Sequence, residues 1–141
     1  MPQKNRISIS DLLKIKKNTC KKTHDDEEHR LQCACVKWFR MQYPSISYVL
    51  FAIPNAARRS ARNGAYMKDE GMLPGVSDLI LLKSNRHYGA LCIEMKTRSG
   101  KQSDSQKKWE QEAVKNGSKY IVCRSFEEFK DAVNEYIRDM T

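Results

Sequence analysis

Long hydrophobic runs are missing from this sequence of 141 residues. No run approaches the roughly 20 apolar residues that a membrane-spanning helix needs. The first apolar cluster, over residues 7–15, is interrupted by Ser10, Asp11 and Lys14, so it does not resemble a signal peptide. No internal repeat is visible. The sequence therefore favours one folded, soluble domain, since a chain of this length has apolar surface for a single core.

Paired C-x-x-C spacing, the usual mark of a zinc site, is also missing. The cysteines are odd in number, which favours reduced thiols in a cytosolic protein. Two of them, Cys92 and Cys123, lie inside apolar runs and are predicted to be small core residues. The histidines are scattered and form no metal or acid–base arrangement. The complete set is Cys20, Cys33, Cys35, Cys92 and Cys123, with His24, His29 and His87.

Acidic residues are the minority among the charged residues. The chain has 17 Asp and Glu against 26 Lys and Arg, which gives a net charge of +9. Such a charge is typical of nucleic-acid-binding proteins, although many basic domains are merely well solvated. Residues 1–24 read as a basic N-terminal arm that could lie on DNA or on a partner subunit. Residues 25–141 are predicted to form the folded domain.

Hydrophobic periodicity predicts the element order α-β-(α)-β-β-α-β-α. This order indicates an α/β fold with a mixed central sheet of about four strands and helices on both faces. The sheet includes one predicted hairpin, whose strands are 78–82 and 89–96. The remaining predictions are a helix from 25 to the break at 43–44, a buried strand at 46–53, an irregular helix or loop at 56–70, a helix at 103–116, a strand at 120–123 and a helix at 125–138.

Three charged residues are expected to meet at one end of this sheet. Glu94 and Lys96 lie two apart on a predicted strand, so they share one face while Ile93 and Met95 point to the other. Asp78 opens the preceding strand just after a turn, where it can meet the pair. Carboxylate oxygens suit Mg²⁺, which lowers the pKa of water and neutralises charge on a phosphate. A surface Glu–Lys pair is the alternative, since Glu-x-Lys is common in charged chains.

Five ordered motifs together resemble the VRR-NUC (virus-type replication-repair nuclease) family of the PD-(D/E)xK nuclease superfamily. The resemblance covers about residues 25–123 and implies a restriction-endonuclease-like core of the order αβββαβ. The motifs are EHRLQ at residues 28–32, Pro54-Asn55 followed by Arg58, GVSD at 75–78, IEMK at 93–96, and Ser105-Gln106 followed by Trp109.

The resemblance implies a role for each residue of the centre. Asp78 and Glu94 would bind Mg²⁺ or Mn²⁺, with the Met95 carbonyl as a third ligand, and Lys96 would be the catalytic lysine. Glu28 and Gln106 would approach the site from neighbouring helices. Each of them could instead have a purely structural role. Glu28 could instead belong to a capping box with Asp25, and Gln106 to one with Ser103.

The basic stretch over residues 55–62 would flank this site. It is predicted to contact the DNA backbone, because the guanidinium group of arginine matches the geometry of phosphate oxygens. A solvated face is the alternative for these residues, and Asn55 could be only a turn residue. Trp38 and Trp109 are predicted to be core residues rather than base-stacking platforms. The predicted contact residues are Asn55, Arg58, Arg59, Arg62 and Lys101, which Lys107 and Lys108 would extend.

The resemblance implies metal-dependent endonucleolytic hydrolysis of phosphodiesters that leaves 5′-phosphate products. Compact stand-alone members of the family, typical of phages, are associated with cutting four-way junctions as two-fold dimers. We therefore predict a homodimeric, structure-selective DNA endonuclease, a Holliday-junction resolvase, that acts in the cytoplasm of a bacterial host. Three alternatives stay open: a nicking or flap-type endonuclease, a restriction-like endonuclease, and a non-catalytic DNA-binding module on the same fold.

Overall fold

The structure is a computed structural model, and it describes residues 24–54 and 61–139. The predicted order of elements is confirmed. None of the helices in the described ranges is long and apolar enough to cross a membrane. The helices are α1 (His24–Gln42), α2 (Ala61–Asp69), α3 (Asp104–Lys115) and α4 (Phe126–Arg138), and the strands are β1 (Leu50–Ala52), β2 (Leu79–Leu81), β3 (Leu91–Met95) and β4 (Lys119–Cys123).

The four strands form one mixed sheet in the order β1-β2-β3-β4. β1 pairs with β2, and β2 with β3, in antiparallel fashion. The predicted hairpin of β2 and β3 is therefore confirmed. β3 and β4 pair in parallel, with α3 as their connection. The mixed sheet follows from this, since parallel neighbours need a crossover whereas antiparallel neighbours can join through a short loop.

One face of the sheet carries the hydrophobic core. Alternate residues of β3, namely Leu91, Ile93 and Met95, are buried there. Helices α1 and α4 cover this face with side chains at three- and four-residue spacing, so each presents one apolar stripe. Trp38 packs edge-on against three aromatic rings, which confirms its predicted core position: Tyr43, Phe126 and Phe129. The helical core residues are Cys35, Phe39, Phe129, Val133 and Tyr136.

The opposite face of the sheet is covered by α3. Register pairs Cys92 with Tyr120 of β4, and the Tyr120 ring lies 6.1 Å from that of Trp109 in α3. Trp109 therefore packs against the sheet, as predicted. The sheet has helices on both faces, and this second face also carries Glu94.

The segment before β1 corrects one prediction. Residues 46–53 were expected to be a buried strand, but Pro44–Val49 forms a 3₁₀ helix and only Leu50–Ala52 is a strand. Pro44 at the start favours the helical backbone, and the Ser47 hydroxyl donates to the Pro44 carbonyl at 3.1 Å. β1 also lies at the edge of the sheet, so Phe51 and Ala52 are exposed rather than buried.

The described cysteines are all reduced. Cys33, Cys35, Cys92 and Cys123 are free thiols, and Cys92 and Cys123 are buried, which confirms their predicted core role. Burial raises the pKa of Cys123 to about 12, so its thiol stays protonated at neutral pH and is a poor nucleophile or metal ligand.

Candidate active site

Asp78 lies directly before β2, where the loop from α2 enters the sheet. The antiparallel register pairs Leu79 with Ile93, so Asp78 stands opposite Glu94 and shares its face. Its Oδ2 accepts a hydrogen bond from the Met95 main-chain N–H at 2.8 Å. Its carbonyl accepts from the Ile53 N–H at 2.9 Å. Both neighbouring strands therefore hold Asp78 in place.

Glu94 and Lys96 lie on the same face, as their spacing predicts. The Lys96 Nζ is 3.5 Å from the Glu94 Oε1, and the two side chains are 13% and 2% exposed. Ile93 and Met95 point into the core on the other side. The predicted alternative of a surface ion pair does not describe this geometry, because the Glu94 carboxylate is withdrawn from solvent.

One oxygen of Glu94 has no donor. Glu94 Oε2 is buried without a hydrogen-bond partner among the described residues. Asp78 is the neighbouring carboxyl, but two ionised carboxylates only accept, so they can bond to each other only by sharing a proton. Burial, followed by the charge of Asp78, raises the pKa of Glu94 to about 8. Burial also raises the pKa of Asp78, against the lowering effects of the Met95 N–H, Glu94 and Lys96.

Gln106 fills both of the roles that its sequence position suggested. Its Oε1 accepts from the Ser103 N–H at 2.8 Å, and its own N–H donates to the Ser103 hydroxyl at 3.2 Å, so the predicted capping box of α3 is present. Its Nε2 donates to Glu94 Oε1 at 2.7 Å. Because the cap occupies the amide oxygen, the amide nitrogen is the atom that faces Glu94.

Gly75 brings the loop before Asp78 against the start of α3. Its φ is +84°, and a Cβ at this position would lie 2.4 Å from the Ser105 carbonyl carbon and oxygen, and 2.7 Å from the Gln106 nitrogen. Only glycine fits, both because of the backbone conformation and because of the close approach. Sequence reasoning used Gly75 as part of a motif and did not foresee this contact, which joins chain segments 30 positions apart.

The donors of this site suit a hard divalent cation. Among residues 24–54 and 61–139, no three His, Cys, Asp or Glu side chains converge to hold a metal. Mg²⁺ is usually bound by one or two carboxylates together with waters, which matches Asp78 and Glu94. A cation beside Glu94 Oε2 would also give that buried oxygen the partner it lacks.

Glu28 is not joined to this cluster. It lies in the N-terminal half of α1 and is half-buried. Within the described part of the chain it makes no hydrogen bond or ion pair with Asp78, Glu94 or Lys96. Its role in the site stays a prediction. The alternative capping box involves the side chain of Asp25, which lies outside the description.

The predicted DNA contacts are only partly described. Asn55, Arg58 and Arg59 lie outside the described residues, whereas Arg62 in α2 and Lys101 before α3 are exposed. Lys107 and Lys108 are exposed in the first turns of α3. Sequence reasoning missed Arg98, which is exposed two residues after Lys96. Its position directly after the Glu-x-Lys motif was the available signal.

The mixed four-stranded sheet with helices on both faces makes this an α/β fold, as predicted. The VRR-NUC domain model matches residues 14–127, so the chain belongs to the VRR-NUC family, a nuclease-type family. A solved structure described as a VRR_NUC domain protein is similar in fold, with a TM-score of 0.70 and 21% sequence identity over 79% of this chain and 88% of that chain. No curated protein matches the sequence.

Proposed function

We propose that this protein is a metal-dependent DNA endonuclease whose centre is Asp78, Glu94 and Lys96. One observation carries the proposal: a nearly fully buried Glu94 faces a second carboxyl, Asp78, and one Glu94 oxygen has no donor within residues 24–54 and 61–139. Burying a carboxylate without a partner is costly, so such an arrangement indicates a site made for a cation. Membership of a nuclease-type family points the same way.

Asp78 and Glu94 would hold Mg²⁺ or Mn²⁺, with the Met95 carbonyl as the proposed third protein ligand. Bound there, the cation would lower the pKa of a water and neutralise charge on the scissile phosphate. The Met95 N–H fixes the Asp78 carboxylate, and Gln106 fixes Oε1 of Glu94. These two bonds orient the ligands before a cation arrives, which reduces the reorganisation needed at the moment of reaction.

Lys96 would act at the reacting phosphate. Its ammonium lies beside Glu94, and the Lys96 side chain is still partly exposed, so it can reach a substrate that lies over the site. There it would orient the attacking water or stabilise the negative charge that develops at phosphorus. The mostly buried ion pair with Glu94 keeps the ammonium aimed at this position.

The exposed basic residues near the centre would contact the DNA backbone. Arg98 and Lys101 lie two and five residues after Lys96, and Lys107 and Lys108 lie in the first turns of α3, next to Gln106 in the chain. Each neutralised phosphate releases counterions, so DNA affinity should fall steeply with salt. Arg62, with the undescribed Asn55, Arg58 and Arg59, would extend the contact beyond the site.

We further propose that the substrate is branched DNA, that the protein resolves four-way junctions, and that it acts as a homodimer. The support is the family resemblance together with symmetry. A junction needs paired incisions, and a two-fold axis presents two identical sites in fixed opposition.

The test is cleavage of a labelled four-way junction, linear duplex and single strand, with Mg²⁺ and with EDTA. We expect metal-dependent paired cuts in the junction by the unaltered protein and none by Glu94→Ala or Asp78→Asn. The exposed Glu135 of α4 gives a matched control, because Glu135→Gln removes a carboxylate away from the site and should cleave normally. Sedimentation equilibrium should give a dimer.

The other outcomes each favour a different reading. Single nicks in the junction would favour a nicking or flap-type endonuclease, and cuts at one sequence in linear duplex a restriction-like enzyme. DNA binding without cleavage of any substrate would support a non-catalytic module. Cleavage that Asp78→Asn left unchanged would overturn the assignment of the centre, and a monomer at working concentration would overturn the dimer.

A further inference from the structure

The turn that follows Lys96 is held by an arginine from another element. Arg124 lies directly after β4, and its Nη1 is 2.7 Å from the Thr97 carbonyl oxygen and 2.5 Å from that of Gly100. The Arg98 carbonyl oxygen lies 3.4 Å from the same nitrogen. Three carbonyl oxygens of one four-residue turn thus converge on a single guanidinium nitrogen. Charge-assisted hydrogen bonds of this kind are stronger than neutral ones.

The same turn lies alongside the side chain of Lys96. The Gly100 N–H donates to the Thr97 carbonyl at 3.3 Å and to its hydroxyl at 3.1 Å, which closes the turn. A Cβ at Gly100 would lie 3.4 Å from Lys96 Cδ and 3.1 Å from Thr97 Oγ1. Residue 100 therefore lies directly beside the methylene stem of Lys96.

The other end of this connection is also fixed. The Arg124 N–H donates to Glu128 Oε2 at 2.7 Å, which ties its main chain to the first turn of α4. The Lys96 N–H donates to the Cys123 carbonyl at 2.9 Å, at the end of β4. Arg124 thus links β4 and α4, which belong to the packed core, to the turn beside Lys96.

We propose that Arg124 is a positioning residue for Lys96. It keeps the turn over residues 97–100 closed, and the closed turn holds the Lys96 ammonium over Glu94 instead of letting it swing into solvent. The three contacts of its Nη1 are all to main-chain carbonyl oxygens of this turn, so what Arg124 holds in the structure is the turn itself. The inference deepens the proposed function and rests on it, since it names what aims the lysine of that site.

Single-turnover cleavage by Arg124→Lys separates this role from simple charge. Lysine keeps the positive charge, but its nitrogen is one bond shorter in reach and cannot span the three carbonyls. A misplacement of about 1 Å in a catalytic group can lower the rate about 100-fold. We therefore expect a rate constant about 10- to 100-fold lower, with DNA affinity measured in EDTA within about twofold of the unaltered protein.

Two further variants complete the design. Arg138→Met removes a positive charge from the exposed end of α4 and should leave the rate constant unchanged. Gly100→Ala keeps Arg124 but places a methyl group against the Lys96 stem, so it should also lower the rate constant without weakening DNA binding. Thermal melting checks that each variant is folded.

Amide hydrogen exchange gives a readout that does not depend on cleavage. Exchange at Gly100 should become faster in Arg124→Lys, while exchange in the core strand β3 stays unchanged. If the unaltered protein cleaves but Arg124→Lys cleaves at the same rate, or loses rate only through weaker DNA binding, the inference is overturned. If the unaltered protein cleaves nothing, the proposed function fails. Unchanged exchange at Gly100 in Arg124→Lys would separately overturn the positioning role.

Discussion

Ile93 and Glu94 are neighbours on opposite faces of β3. They are buried to nearly the same extent, but their burial has opposite effects on stability. Ile93 is 0% exposed and Glu94 is 2% exposed. Ile93 packs among apolar side chains, and such burial stabilises the fold by about 25 cal/mol per Å². Glu94 is buried beside Asp78, and one of its oxygens lacks a donor in the part of the chain that the structure describes. Such burial opposes folding. The core face supplies stability, whereas the burial of Glu94 on the other face reduces it.

Substitution of the two neighbours should separate these effects most strongly. Ile93→Ala removes core volume and should lower the free energy of unfolding by about 2–5 kcal/mol. Glu94→Gln replaces the carboxylate by a neutral amide that can donate towards Asp78, so the metal-free protein should be at least as stable as before. Its cleavage rate should nevertheless fall at least about 1,000-fold. Urea unfolding in EDTA and cleavage in Mg²⁺ measure the two quantities. Equal destabilisation by both variants would contradict the comparison.

On the face of the sheet that carries Glu94, the loop before Asp78 packs closely against α3. A larger side chain in this loop should therefore be destabilising. Gly75→Ala combines a positive φ with a Cβ that would overlap Ser105, so it should lower the free energy of unfolding by about 3 kcal/mol or more and weaken cleavage by displacing Gln106. Gly71 is the matched control, because its φ is +106° but nothing lies within 4 Å of its Cβ position. Gly71→Ala should cost about 1–2 kcal/mol and leave cleavage unchanged. Similar losses in both variants would mean that the close approach is unimportant.

The most gradual effect expected is a slope with pH in the free energy of unfolding of the metal-free protein. Folded Glu94 keeps its proton until its pKa of about 8, whereas unfolded Glu94 loses it near the ordinary value of 4.5. The unfolded state therefore binds fewer protons between these values. Stability is full below about pH 4.5 and falls as pH rises towards 8, by up to about 1.4 kcal/mol per unit.

Denaturation at several pH values in EDTA measures this slope. Glu94→Gln should flatten it, and so should Mg²⁺, because a cation bound by Glu94 favours the ionised form. The raised pKa of Asp78 acts in the same direction and should leave a residual slope in Glu94→Gln. Stability that rises with pH over this range would show that neither carboxyl is held protonated in the folded protein.

Local sequence patterns were enough to predict most of the fold. In β3, Ile93 must lie on one face and Glu94 on the other, because successive side chains of a strand point to opposite faces. The Ser103-x-x-Gln106 spacing predicts the start of α3, because a capping box uses neighbouring residues only. The strand predicted at 46–53 was right only for Leu50–Ala52, because its first residues belong to a 3₁₀ helix that begins at Pro44.

Contacts between distant segments could not be predicted in this way. Nothing near Gly75 in the sequence indicates that its missing Cβ makes room for Ser105. Arg124 likewise looks like any basic residue between a strand and a helix, although its side chain closes the turn beside Lys96. Such contacts depend on how the finished sheet brings loops together. The roles of Asp78, Glu94 and Lys96 come from family resemblance and stay predictions.

The amide of Gln106 restricts which residues this position can accept. In an ordinary capping box glutamate and glutamine are interchangeable, because the cap needs only an acceptor oxygen. Here the second atom of the same group donates to a buried carboxylate. Glutamate would preserve the helix start but would set two acceptors against each other. In a search for related sites, Ser-x-x-Gln after Glu-x-Lys is therefore a stricter signature than the general capping pattern.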